Sequence, residues 1–114
     1  MRYMLMMFGS ETADYSPPGL HDEPCWMPWA REMEARGVVL KDGAQLQPSS
    51  TATTVRSAED VLVADGPFAE TKEQILGYDV IECENLDEAI YAASRHPVAQ
   101  YGGTIEVRPI LATA

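Results

Sequence analysis

Residues 2–8 read Arg2-Tyr3-Met4-Leu5-Met6-Met7-Phe8, and their alternation decides the fold. Successive side chains of a strand point to opposite sides of its sheet. Tyr3, Leu5 and Met7 therefore share one face, and Met4, Met6 and Phe8 share the other. Both rows are apolar. Such a strand needs cover on both sides and belongs in the middle of a sheet rather than at its edge.

Working outward, residues 9–23 hold serines, aspartates, two prolines and two glycines. They read as a long loop, of the kind that borders a site in small domains. Trp26, Trp29, Ala30, Met33 and Gly37 then recur at helical spacing, which predicts a helix over 25–36 with the tryptophans in its core stripe. Pro24 and Pro28 sit near its start, where a missing N–H matters least, and Gly37 ends it. A strand follows over 38–46 and a turn at Pro48-Ser49-Ser50. Two short strands, 53–56 and 61–64, flank the polar turn Ser57–Asp60. Another strand spans 76–83. Asn85 caps a second helix with Glu88 as its capping-box partner, and Leu86, Ala89, Ile90 and Ala93 mark its apolar face. That helix stops at His96-Pro97, and 105–110 closes the chain as a strand.

This order predicts an α+β fold, a ferredoxin-like β-α-β-β-α-β arrangement with a small β-hairpin insertion. Two helices cover one face of the sheet. The second apolar row of residues 2–8 lies on the other face, where burial is worth about 25 cal/mol per Å². A second copy stacked face to face covers it, so a homodimer is expected, pairing into a dimeric α+β barrel.

The length of 114 residues suits one domain over 1–114, and 46% hydrophobic residues can build a core without disulfides or metal. No apolar run approaches the roughly 20 residues of a membrane span. The stretch Tyr3–Phe8 is shorter than a signal-peptide core, so a cytoplasmic location is expected. The net charge of −10 disfavours nucleic acid and anionic membrane as partners. Cys25, Cys83, His21 and His96 are scattered without metal-ligand spacing. Cys83 falls in a strand pattern as a buried thiol. Neither a metal nor a cofactor is expected.

One further stretch carries chemistry: Asp65-Gly66-Pro67-Phe68-Ala69-Glu70-Thr71-Lys72-Glu73-Gln74, followed by Gly77-Tyr78. Asp65-Gly66 signals a turn, since Asp bonds nearby N–H groups and Gly accepts positive φ. Other landmarks are the start Met1–Leu5, Gly43–Pro48, Thr53–Arg56, Leu86–Ala89, His96-Pro97 and Ile105–Pro109. In this order the chain resembles the YCII-related, DGPF-type family over nearly its whole length. The resemblance implies the ferredoxin-like fold paired into a dimeric barrel, and no established reaction. It also implies a link to extracytoplasmic-function sigma factors, beside which such domains are often encoded. Shorter YCII-like proteins carry a first-helix histidine proposed to work with an aspartate. Eleven positions before Gly37 this chain has Trp26, so that pair does not carry over in that form.

The candidate site residues follow. Asp65 is either a turn carboxylate or a general acid or base at a pocket edge. His96, with an ordinary pKa near 6.5, is the second proton-transfer candidate, or else a helix-end residue whose positive form suits the C-terminal dipole. Lys72 either pairs with Glu70 or Glu73 or orients an anionic ligand. Tyr78 offers a hydroxyl. Glu106 and Arg108 share a face of the last strand, as an ion pair or a polar lining. The functional expectation is a small-molecule acid–base enzyme with its pocket between sheet and long loop. The alternative is a non-catalytic binding or regulatory module.

Overall fold

The computed structural model describes residues 1–112. Strand β1 (Arg2–Gly9) is followed by helix α1 (Met27–Ala35) and strand β2 (Val39–Gln45). After a 3₁₀ turn at Ser49–Thr51 come the short strands β3 (Thr53–Arg56) and β4 (Leu62–Asp65). Then follow β5 (Gln74–Glu82), α2 (Leu86–Arg95), the single-turn helix α3 (Pro97–Gln100) and β6 (Thr104–Pro109).

Four strands form one sheet in the order β2-β5-β1-β6, and every pair is antiparallel. The doubly apolar β1 lies inside, as its two apolar rows require. This order is compatible with a ferredoxin-like fold. Strands β3 and β4 pair only with each other and form a separate hairpin. It is the expected insertion, inside the connection from β2 to β5.

The helices cover one face. Tyr3, Leu5 and Met7 of β1 and Ile81 of β5 are buried there against Trp29, Ala30 and Met33 of α1 and Ala89, Ala92 and Ala93 of α2. Helix α1 starts two residues later than its spacing suggests, with Pro28 in its first turn. Trp26 is consequently exposed, while Trp29 is buried. Gly37, at φ +84°, ends α1 in the left-handed region, where an L side chain is strained. Asn85 caps α2 by accepting from Glu88 N–H at 3.0 Å, and Glu88 in turn accepts from Glu84 N–H at 3.1 Å.

The inward stripe of α2 differs from the expected one. Ala89, Ala92 and Ala93 are buried, whereas Leu86 and Ile90 are exposed. The Trp29 indole is the reason. Its Nε1–H donates to the Ala92 carbonyl at 2.8 Å, and small residues on α2 leave room for the ring. At the rim the helices are tied by Arg95 to Glu32 at 2.7 Å and by the Arg36 guanidinium 4.1 Å over the Tyr91 ring.

The other face of the sheet carries no helix, and its apolar side chains are half-buried. Met4, Met6 and Phe8 lie there with Arg108, Glu106 and Thr104 of β6 in register beside them, and with Tyr78 and Val80 of β5 on the other flank. No element among the described residues covers this row.

Candidate functional site

The chemistry gathers on the helix-covered face, around Asp79. The register pairs Asp79 with Leu5 and alternates it with Ile81, so its side chain points toward the helices. A carboxylate there is dehydrated. Its side chain is 21% exposed, and burial, aided by the negative charge of Asp42, pushes its pKa up to about 7. Asp79 therefore keeps its proton well above the pH at which an ordinary aspartate releases it.

A bulge makes room for this group. The β2–β5 register shifts between Leu40 and Asp42, leaving Lys41 unpaired in the ladder. Lys41 turns to Glu82, 3.1 Å away. Without the extra residue Asp42 would sit opposite Asp79. With it, Gly43 does. A Cβ on Gly43 would overlap Asp79 Oδ1, so this position takes glycine for close approach rather than for a special φ.

Facing Asp79 is His96, whose Nε2 lies 3.9 Å from Asp79 Oδ2. His96 joins α2 to α3 and is 4% exposed. Its Nδ1 accepts from Val98 N–H at 3.1 Å. That bond places the hydrogen of the neutral imidazole on Nε2, the nitrogen on the Asp79 side. The Trp29 ring stands edge-on to the imidazole, with centroids 4.8 Å apart and planes at 67°. Burial lowers the His96 pKa to about 4, which keeps the ring neutral. Burial thus opposes the charged form on which the dipole reading of His96 depends.

The other candidates lie elsewhere. Asp65 ends β4, pairs with Thr53 in the separate hairpin and is exposed. The structure brings His96 to Asp79 and not to Asp65. Beyond Asp65 the turn has the expected form. Gly66 has φ +87°, its N–H donates to the Ala52 carbonyl at 2.7 Å, and its own carbonyl accepts from the Thr54 hydroxyl at 2.8 Å. Glu70 and Lys72 are exposed in the segment returning to β5, and Lys72 forms no ion pair among the described residues. Tyr78 and Arg108 face the helix-free side of the sheet, where Arg108 pairs with Glu106 at 2.7 Å.

Asp79 escaped sequence reasoning, although a signal existed. It is the one charged residue inside the run Ile75–Ile81, at the parity of the buried Ile81. A carboxylate on the apolar row of a strand marks a perturbed group.

A cleft of about 130 Å³ lies between α1 and the α2–α3 junction, lined by Pro17, Cys25, Trp29, Glu32, Arg95 and Pro97 among others. It is smaller than the roughly 300 Å³ or more of a small-molecule pocket. Burial raises the Cys25 thiol, with help from Asp14, so the thiol form dominates. Among the described residues, no group of three or more His, Cys, Asp or Glu could hold a metal ion, and no helix is long and apolar enough to cross a membrane.

Comparison with known proteins agrees with these landmarks. An uncharacterised protein of Rhizobium meliloti (strain 1021) is 48% identical over 69 residues, which cover 59% of this chain and 56% of that protein. The match thus spans little more than half the length of that relative. The family model of the YCII-related domain matches residues 1–113. With the match running essentially end to end, the chain belongs to the YCII-related domain family.

Proposed function

We propose that this protein moves a proton to and from a small molecule, with Asp79 as acid–base group and His96 as its positioning residue. One observation carries the reading: a half-buried carboxyl with its pKa raised to about 7 lies 3.9 Å from Nε2 of a buried imidazole whose other nitrogen already accepts from Val98 N–H. A pKa near the working pH keeps both the accepting and the donating form populated. The separation exceeds hydrogen-bond range, and a rotation of the Asp79 side chain on ligand binding would close it, as often happens between free and occupied sites. Nε2–H then supports the ionised carboxylate.

The substrate class that fits is a carbonyl compound with an acidic neighbouring C–H. Asp79 takes the proton from carbon, the C–H electron pair moves into an enolate, and the proton returns from Asp79. A panel of such compounds in D₂O, followed by proton NMR, tests this. Exchange of C–H for C–D should rise with pH through about 7 and fall about 100-fold or more in Asp79→Asn. Equal exchange by both proteins would refute it.

The same reading includes a homodimer in which two copies press their helix-free sheet faces together. The apolar row Met4, Met6 and Phe8, with Tyr78 and Val80 beside it, supports this pairing. One observation favours a binding role without chemistry, namely the exposed apolar surface of the β3–β4 hairpin.

A further inference from the structure

A carbonyl compound that gives a proton to Asp79 gathers negative charge on its oxygen, and a hydrogen-bond donor placed at that oxygen lowers the barrier. His96 faces the carboxylate instead, with Nε2 3.9 Å from Oδ2. The other carboxylate oxygen, Oδ1, lies over β2, in the place that a Cβ on Gly43 would take. Strand β2 is an edge of the sheet, and Gly43, Ala44 and Gln45 are exposed. Oδ1 thus lies at the edge across which a molecule reaches the carboxyl.

The ladder puts Gln45 next along that edge. Gln45 pairs with Gly77 as Gly43 pairs with Asp79, so Gln45 and Gly43 point to the same face. Leu46 N–H donates to the Leu76 carbonyl at 2.9 Å and holds this register one residue further. Residues i and i+2 of a strand are about 7 Å apart, which puts the Gln45 Cβ about 7 Å from Oδ1. No β5 side chain stands between them, because position 77 is glycine. A Cβ there would come within 2.6 Å of the Ala44 carbonyl oxygen. Gln74 donates its amide N–H to Thr71, whereas the Gln45 amide has no hydrogen-bond partner among the described residues.

Charge narrows the ligand. The negative charge of Asp42 acts on Asp79. Lys41 is engaged with Glu82 at 3.1 Å, and Arg95, beside His96 in the sequence, with Glu32 at 2.7 Å. An anion brought to this spot meets like charge, whereas a neutral amide suits a neutral carbonyl.

We propose that the Asp79 site takes an uncharged carbonyl compound across the β2 edge, with the Gln45 amide N–H donating to its carbonyl oxygen. This rests on the acid–base reading above and names its substrate class and a binding residue. Oδ1 takes the proton from the carbon beside the carbonyl. The C–H electron pair forms the new C=C bond, and the carbonyl π pair moves to the oxygen that Gln45 holds. Return of the proton from Oδ1 restores the ketone, and no co-reactant is consumed.

Methyl levulinate and the levulinate anion test this on the full chain, since they carry the same ketone and differ in charge. Proton NMR in D₂O reads the exchange of C–H for C–D beside the ketone. The wild type should exchange the ester about 10-fold or more faster than the anion. Gln45→Ala and Gln45→Glu, at an exposed position, should each lower kcat for the ester about 10-fold or more. The pH midpoint of exchange and the circular dichroism should stay as in the wild type. Ester exchange at the wild-type rate in both variants would overturn the role of Gln45. A loss that comes with a shifted pH midpoint would overturn it too, because the substitution would then act through Asp79. Anion exchange as fast as ester exchange would overturn the uncharged class. A wild type that leaves both compounds at the buffer rate, as Asp79→Asn should, would overturn the acid–base reading itself and this inference with it.

Discussion

Replacing Asp79 by Asn should stabilise the protein in a pH-dependent way. An ordinary aspartate titrates near 3.8, and Asp79 near 7. Each tenfold change in proton affinity is worth about 1.4 kcal/mol, so the displacement corresponds to about 4 kcal/mol. The side chain is 21% exposed, and solvent lowers the expected effect to about 2–3 kcal/mol. The folded state holds this proton more tightly than the unfolded chain does. Its contribution is complete below about pH 4 and is lost as pH rises through 7. His96 acts in the opposite sense. Its folded pKa of about 4 lies below the ordinary 6.5, so its contribution is complete above 6.5 and is lost as pH falls through 4. Between pH 4 and 6.5 the two slopes oppose each other, and the wild type should be nearly flat in this respect. Asp79→Asn removes one slope and unmasks the other. Urea unfolding at pH 4, 6.5 and 8, read as midpoints at constant m, should show the variant gaining on the wild type by about 2–3 kcal/mol from pH 4 to pH 8. A gain below about 0.5 kcal/mol would mean that Asp79 ionises freely, and the proton-transfer reading would fail with it.

Other expectations concern single contacts. Asn85→Ala should lower stability by about 1 kcal/mol through loss of the α2 cap, measured by urea unfolding. Trp29→Phe should cost about 1–3 kcal/mol, since it removes the bond to the Ala92 carbonyl and leaves that group unpaired. The same variant should also move the His96 imidazole resonances in NMR, because the ring edge is withdrawn. Gly66→Ala should cost about 1–2 kcal/mol for a side chain at positive φ, while Asp65→Asn, at an exposed position, should stay within about 0.5 kcal/mol. A larger loss in Asp65→Asn would make that carboxylate a structural part of the turn.

Much of the fold was legible because it depends on local periodicity. The two apolar rows of residues 2–8 required an interior strand, and β1 lies between β5 and β6. Gly37, Asn85 and Pro97 marked helix ends through backbone preferences that act within a turn or two. The hairpin at 53–65 followed from two short apolar runs around a polar turn. Helix α2 was less legible, because helical spacing alone could not separate the stripe with Leu86 and Ile90 from the one with Ala92. The choice came from Trp29, 63 positions away in sequence.

The candidate site belongs to the part that a linear reading does not reach. Periodicity placed the strands and helices, since each responds to side chains two to four positions apart. It did not join Asp79 to His96, separated by an entire helix, nor reveal that the Lys41 bulge sets Gly43 rather than Asp42 against Asp79. The pKa values of both groups depend on water excluded by residues from α1, α2 and β1 together. Dehydration is a property of three-dimensional packing, and packing moved the pKa of an ordinary aspartate up and that of an ordinary histidine down.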